Sequence, residues 1–500
     1  MEAFRLSQSL DDNIQMIQDR FQGDEALKTR RIPLPFSTPI AGALFYIEGL
    51  TNEDQVNRFI VQPILLGTLK EGAENNGRLT SLIDRLIISG SVERTAEPER
   101  IMLALFTGDS LLLAEGEAEV LIIGTAKPET RSVQEPESEK LVRGPREGFT
   151  EVLTTNLSMI RKRIKQPELK FQYREMGKRT RTRVCIAYIE DIVSDKILQE
   201  VNKRLDDIDI DGILDSGYIQ EMIKDYPSSP FETIGYSERP DVIAGKLLEG
   251  RIAIFVDGSP AVLSVPFLFV EYFQVSGDYY SNYFTSSFNR LLRFMGALLS
   301  ISIPAVYVAL VTFNQEMIPT QLLLSISSSR SGIPFPTVLE AIMMIVIFEI
   351  LLEAGTRIPA PIGQAVSIVG ALVLGQAAVN ARIVSAPMVI VVGLTGITGL
   401  LTIRLQGATL ILRFLLLGCG SFLGLYGYLM GLIGLLIHLM SIKTFGVNYM
   451  YPLSTIQPDM VKDTLLRAPW WDMTVRSKRI AVKNHIRQAV RSGGKPHGRQ

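Results

Sequence analysis

Residues 337–355 read TVLEAIMMIVIFEILLEAG, and the architecture of the chain turns on how those 19 residues are housed. At about 1.5 Å of rise per residue the run nearly spans the roughly 30 Å of hydrocarbon in a bilayer. Yet it carries Glu340, Glu349 and Glu353. A carboxylate facing lipid costs about 3 kcal/mol or more, so such a residue belongs beside water, an ion path or a partner. Glu349, Glu353 and Arg357 recur every fourth residue and share one helical face, with Glu353 and Arg357 within reach of an ion pair. At 100° per residue Glu340 lies about 180° from Glu349 and stands outside that stripe. The stripe reads either as the lining of an ion path or as an ion-pair network between subunits.

On either side of this run lie four more, at 295–313, 361–380, 383–403 and 414–440, each long and apolar enough to cross a membrane. Of 103 charged residues only nine fall within 295–440, while 14 fall within 441–500 and 80 within the first 294. A soluble domain is about one quarter charged, so the middle block belongs in hydrocarbon and the front in water. An entirely soluble enzyme is excluded. The first 17 residues, with Glu2, Asp11 and Asp12, lack the apolar core of a secretory signal, which leaves the front half in the cytoplasm. Arg290 and Arg293 precede the first apolar run, and residues 474–500 hold eight Lys or Arg and no acid. By the positive-inside rule both ends are cytoplasmic, and the number of crossings is even. Five spans would break that parity. Either 337–355 is re-entrant or interfacial, giving four, or the run after Ala408 folds back at Gly418-Cys419-Gly420, giving six; the cost of three carboxylates favours four.

Gln364, Ser367, Ala371, Gly375, Ala378 and Arg382 fall within about 80° of one another on a helix. Such a small-and-polar stripe can line an aqueous pore or form a close helix contact. Gly418, Gly420, Gly424, Gly427, Gly431 and Gly434 mark the last apolar run as a tight packing surface. The aromatic-rich stretch 272–288 suits a headgroup interface or a soluble helix. Trp470 and Trp471 suit the inner membrane surface, and Val475, Val482, Ile486 and Val490 suggest a basic amphipathic helix after them.

The front half reads as two α/β units. In the first, IMLALFT (101–107) and SLLLAEGEAEVLIIG (110–124) flank Gly108-Asp109, a turn signal that predicts a hairpin. A charged linker at 127–140 separates it from the second. There, strands are expected at 168–176 and 179–191 about Gly177, helices at 194–207 and 240–250, and a hairpin at Asp257-Gly258. Asp206, Asp207, Asp209, Asp211 and Asp215 lack the ligand spacing of an EF-hand and read as a solvated turn rather than a calcium loop. Lys178-Arg-Thr-Arg-Thr-Arg183 has no interleaved aromatic platform, so it suits an acidic partner or solvent better than nucleic acid. Cys185 and Cys419 give no disulfide framework, three histidines give no metal or triad set, and no Walker or dinucleotide loop is present. No cofactor and no catalytic residue is expected.

The fold class is thus an α/β cytoplasmic N-terminal region of two subdomains followed by an α-helical multi-pass membrane domain. Its limits are 1–126, a linker at 127–141, 142–290, the transmembrane block 291–440, and a cytoplasmic basic tail at 441–500. Several long motifs also resemble the A subunit of the GerA-type nutrient germinant receptors of endospore-forming bacteria. They are RGPREGFT (143–150) with Asn156 and IRKRI (160–164), LEGRIAIFVDGSP (248–260) with PFLFVEYF, IPFPTVLEAIMMIVIFEILLEAGTR (333–357), PIGQAVSIVGALVLGQAAVNARIVSAP (361–387) and RAPWWDM (467–473). The resemblance spans residues 30–475, and Tyr279 to Arg293 (YYSNYFTSSFNRLLR) looks more like the nutrient-receptor branch than the paralogue beside the dipicolinate-release machinery. It implies a non-enzymatic subunit in the spore inner membrane, working with a transporter-like B subunit and a lipoprotein C subunit. Amino acids, sugars or nucleosides would trigger germination with release of monovalent cations, the germinant pocket being ascribed to the B subunit. Homo-oligomers in contact with membrane lipids would form a gated channel, with Glu349, Glu353 and the stripe from Gln364 to Arg382 as candidate path residues. The rival reading is a non-conducting scaffold that relays the signal; a secondary transporter is disfavoured because no inverted repeat is visible.

Overall fold

Apolar, β-branched runs broken at glycine turns make the front half a pair of antiparallel sheets. The computed structural model describes residues 5–36, 40–67, 82, 87, 91–127, 136, 139–141, 143–357, 373, 375–454 and 462–488. It divides into one unit of Met1–Lys224, Ile234–Pro266 and Thr474–Gln500, and a second of Asp225–Thr233 and Phe267–Met473.

In the first unit, helix α1 (Leu10–Arg20) is capped by Ser9 and buries Leu10, Ile14 and Ile17 on one face. Strands β1 (Leu27–Leu34), β2 (Ile40–Ile47), β3 (Val92–Thr95), β4 (Ser110–Ala114) and β5 (Val120–Ile123) form a sheet ordered β1-β2-β4-β5-β3. The second sheet, ordered β6-β7-β9-β10-β8, contains β6 (Leu169–Met176), β7 (Thr182–Ile189), β8 (Gly235–Ser237), β9 (Ile252–Val256) and β10 (Val262–Val265). Every pairing in both is antiparallel.

The hairpins about Gly177 and Asp257-Gly258 form as expected, with both glycines left-handed. The hairpin about Gly108-Asp109 does not. IMLALFT belongs to α2 (Pro98–Thr107), which opens on a proline and stops at Gly108 with φ 97°. The hairpin lies inside the following run, where β4 returns as β5. A seven-residue apolar run fits a buried helix as well as a strand, and here the proline start and glycine stop decide. Helices α3 (Leu153–Arg163), α5 (Ser216–Ile223) and α6 (Pro240–Leu248) pack on the second sheet, and α4 (Asp195–Asp206) packs on α5.

One apolar cluster runs from Leu10 and Phe106 through Phe171 to Phe255 and Ala481, so both sheets share a core. Arg161 ion-pairs there with Asp24, donates to the Leu169 carbonyl at 2.9 Å and lies 4.5 Å over the Phe171 ring. Residues 474–487 are not the expected amphipathic helix. Val475 and Ile486 bridge in antiparallel fashion, and the buried residues are Ile480 and Ala481, the latter against Gly250. Lys483 and Arg487 then pair with Asp195 and Glu249. A short segment's weak helical pattern yields to burial of two side chains in a preformed gap.

The second unit is helical: α7 (Tyr283–Thr312), α8 (Thr320–Arg330), α9 (Thr337–Arg357), α10 (Ala386–Gly399) with a 3-10 extension at Leu400–Leu405, and α11 (Gln406–Ser441). Among the described residues, two stretches are long and apolar enough to cross a membrane, Tyr283–Thr312 and Ala386–Ser441. Within the latter, α11 breaks at Gly424, where φ is 63° and ψ −145°. A Cβ on Gly431 would lie 2.8 Å from Leu416, and one on Gly427 would meet the Cys419 carbonyl. Residues 15 apart in a continuous helix are about 22 Å apart, so α11 is a helical hairpin. The chain folds back at Gly424 rather than at Gly418-Cys419-Gly420, because this backbone conformation is open to glycine alone. Asn314 secures the turn by accepting the Leu425 N–H at 3.3 Å.

Candidate functional site

The three glutamates of α9 have different fates. Glu340, in the first turn, is fully buried and accepts the N–H and hydroxyl of Ser385, the N-cap of α10. Its other oxygen faces Arg330 at 4.0 Å. Glu340 therefore ties the start of α9 to the start of α10, which satisfies a helix-terminal donor inside an apolar bundle. Glu349 pairs with Arg413 of α11, whose remaining donors go to the Ser300 carbonyl at 3.2 Å and the Ser300 hydroxyl at 3.1 Å. That joint locks α7, α9 and α11 together. Glu353, one turn on, is exposed.

The small-and-polar stripe is only partly visible. Gln364, Ser367 and Ala371 lie outside the described residues, as does the side chain of Arg357. Gly375 is buried and Ala378 half-buried; both line a cavity of about 440 Å³ with Met343 and Phe348 of α9 and Val389 of α10. A Cβ on Gly375 would rest 3.4 Å from Val389, an ordinary contact. Arg382 is exposed in a left-handed turn (φ 55°), its guanidinium against Gly332. Gly375 and Ala378 thus meet α9 and α10 of the same chain, while Glu349 is joined to Arg413.

Arg413 and Ser300 were not singled out by the sequence, although a lone base inside LILRFLLL is a signal that was there to read. A second missed cluster surrounds the start of α7. Arg290 is fully buried and pairs with Asp278 and Asp463, the latter at 2.7 Å. Arg293 also reaches Asp278 and donates to the Phe273 carbonyl at 2.9 Å. Arg467 of the RAPWWDM motif lies against the rings of Tyr279 and Trp470, and its backbone exchanges hydrogen bonds with the Ser287 hydroxyl. Of the two arginines read as topology markers, Arg290 therefore ties Asp463 and Thr464, after the helices, to Asp278 before them, while Arg293 holds the preceding segment alone.

In the first unit the acidic cluster is used internally. Asp206, Asp209 and Asp211 pair with Arg174, Lys178 and Arg179, and Asp215 caps α5. The acidic partner of the basic run is this chain's own turn. Burial pushes the Cys185 thiol well above its ordinary range, leaving it protonated and unreactive. Among the described residues no group of His, Cys, Asp or Glu is arranged to hold a metal ion.

Comparison with known proteins places this geometry in context. Residues 15–479 match the family model described as Bacillus/Clostridium GerA spore germination protein. The chain is 42% identical over 485 residues to spore germination protein KA of Bacillus subtilis (strain 168), covering 97% of this chain and 89% of that protein. It is 39% identical over 492 residues to the uncharacterized membrane protein YfkQ of the same organism, covering 98% and 95%. Among solved structures, the N-terminal domain of the A subunit of the Bacillus megaterium spore germinant receptor GerK3 is 33% identical. That match covers 54% of this chain and 99% of that one, with a TM-score of 0.42.

Proposed function

The chain belongs to the GerA family of spore germination proteins, and we propose that it is the A subunit of a nutrient germinant receptor, oligomerising with B and C subunits into a germinant-gated cation channel of the spore inner membrane. The observation that carries this reading is Glu353, an exposed carboxylate one turn beyond Glu349 on the largely apolar helix α9. Repeated around an assembly, such exposed carboxylates would concentrate cations. Met1–Lys224, Ile234–Pro266 and Thr474–Gln500 belong to one folded unit, which supports N- and C-termini on the same, cytoplasmic side. With the fold-back at Gly424, six crossings replace four as the preferred count.

A second reading, a scaffold that relays germinant binding to another channel, draws on the Glu349–Arg413 joint and on Gly375 and Ala378, which pack within the chain. Conductance separates the two. Full-length protein reconstituted alone and with B and C subunits should pass monovalent cations, and Glu353→Gln should lower that current and slow cation release from germinating spores. Normal current and germination in Glu353→Gln, at matched expression, would overturn the path through Glu353. Absence of current in every assembly would favour the scaffold.

A further inference from the structure

We propose that the helical unit holds one hydrocarbon chain of a membrane lipid in an apolar cavity between α7 and the two halves of α11. The inference rests on the reading above that this unit is bilayer-embedded. The cavity measures about 240 Å³. Ala297, Ile301 and Leu412 form its buried floor, and Leu298 and Leu436 stand exposed at its rim. Thr409 brings the one hydroxyl to the lining, and that hydroxyl already donates to the Gln406 carbonyl at 2.9 Å.

This lining selects its occupant. An ordered water needs two to four polar partners, and the wall offers none to spare. A germinant such as an amino acid or sugar, or a cation, would lose its hydration without replacement. Left empty, the aromatic and leucine walls would forfeit dispersion contacts on one side. An apolar cavity of roughly 150 Å³ suffices for benzene, so this larger one, open between two leucines, accepts a slender flexible chain. In a bilayer the phase that meets the exposed Leu298 and Leu436 is acyl hydrocarbon. An inserted chain would then hold α7 and the returning half of α11 at their observed separation.

The test uses full-length protein in phosphatidylethanolamine vesicles doped with a phosphatidylglycerol carrying a mid-chain diazirine. Photolysis and peptide mapping should place label on residues 294–301 and 432–439, saturating with probe and displaced by unlabelled phosphatidylglycerol. Ala297→Phe, whose ring fills the floor, should lower that label at least five-fold, and Ala297→Leu should lower it partially if the larger ring disturbs folding. Leu299→Phe, outside the lining, should leave it unchanged. Equal labelling in all variants, non-saturable labelling, or crosslinks at Leu298 and Leu436 to a second copy of the chain would each overturn the site. Alkaline extraction of the same vesicles separates the premises. Retained but unlabelled protein sinks the cavity, whereas extracted protein sinks the bilayer reading itself.

Discussion

Each unit of this protein buries an arginine–carboxylate pair, and each closes around it by different means. Arg161 and Asp24, with side chains 1% and 0% exposed, sit in a core filled by large residues such as Phe106 and Phe171. Arg413 and Glu349, at 5% and 20%, join three helices whose closeness comes from glycine. A Cβ on Gly396 would overlap the Phe348 ring, and one on Gly420 would lie 3.0 Å from the Ala305 carbonyl. The first unit excludes water by filling space, so apolar area drives it. On the proposed reading that the second unit lies in lipid, that drive is absent there, and backbone approach with a few satisfied polar joints takes its place. Rarity of charge in the apolar half therefore marks joints as readily as it marks an ion path.

The sharpest way to break this contrast is at Gly424. Gly424→Val forces a branched side chain into a conformation reserved for glycine, with its Cβ 2.8 Å from that of Phe313 and 2.9 Å from the Asn314 oxygen. Strain of about 1–3 kcal/mol and overpacking of about 1–3 kcal/mol together should abolish the helical hairpin. Membrane yield and protease resistance of the second unit should collapse. Gly418→Ala, with open space around the added methyl, should be neutral or slightly stabilising. Equal tolerance at both positions would return the fold-back to Gly418-Cys419-Gly420.

The two ion pairs themselves come next. Arg161→Met strands Asp24 in the core and should cost about 3–5 kcal/mol, most of it recovered in Arg161→Met/Asp24→Leu. Arg413→Met should cost less, roughly 2 kcal/mol, because Glu349 is only partly buried. Hydrogen exchange of peptides from each unit reports both. A larger loss at Arg413 would mean that polar joints, more than glycine contacts, hold the helices.

What could be read from sequence follows the same contrast. Asp257-Gly258 and Gly177 announced their hairpins because turn chemistry is local, and the apolar runs announced a helical unit because composition alone carries that signal. Arg161 was invisible because it stands among Arg163, Lys162 and Lys165, where one buried base looks like its solvated neighbours. Arg413 is a lone base in an apolar run, but its partner lies 64 residues away and no local rule connects them. The fold-back was the less favoured alternative and was set at Gly418-Cys419-Gly420, since only the contacts of Phe313 and Asn314 distinguish Gly424 from the other glycines. In the tail, Val482 and Ile486 looked like the buried face and are 50% and 66% exposed, because Ile480 and Ala481 fit the gap beside Gly250.

The smallest expected effect sharpens the comparison from the aqueous side, where charge is cheap. Asp215 caps α5, accepting the Gly217 N–H at 3.0 Å and the Ser259 hydroxyl. Partial burial pulls its pKa up, but those hydrogen bonds and one from the Ser216 backbone outweigh it, so the carboxyl titrates below its ordinary value. A folded-state pKa below the unfolded one, about 3.9, stabilises the fold above that pH and loses the benefit as pH falls through the folded value. Because Asp215 is exposed, solvent screening keeps the pH-dependent part small. Asp215→Ala should cost about 1 kcal/mol at pH 7, the usual worth of an N-cap, read as faster hydrogen exchange of residues 216–223. The gap from wild type should narrow as pH falls below about 4, whereas Asp215→Asn, which keeps an acceptor, should stay near wild type at pH 7 and respond less to acid. A gap that widens in acid would mean that Asp215 is held as the neutral acid, and that burial governs charge in the first unit as it does among the helices.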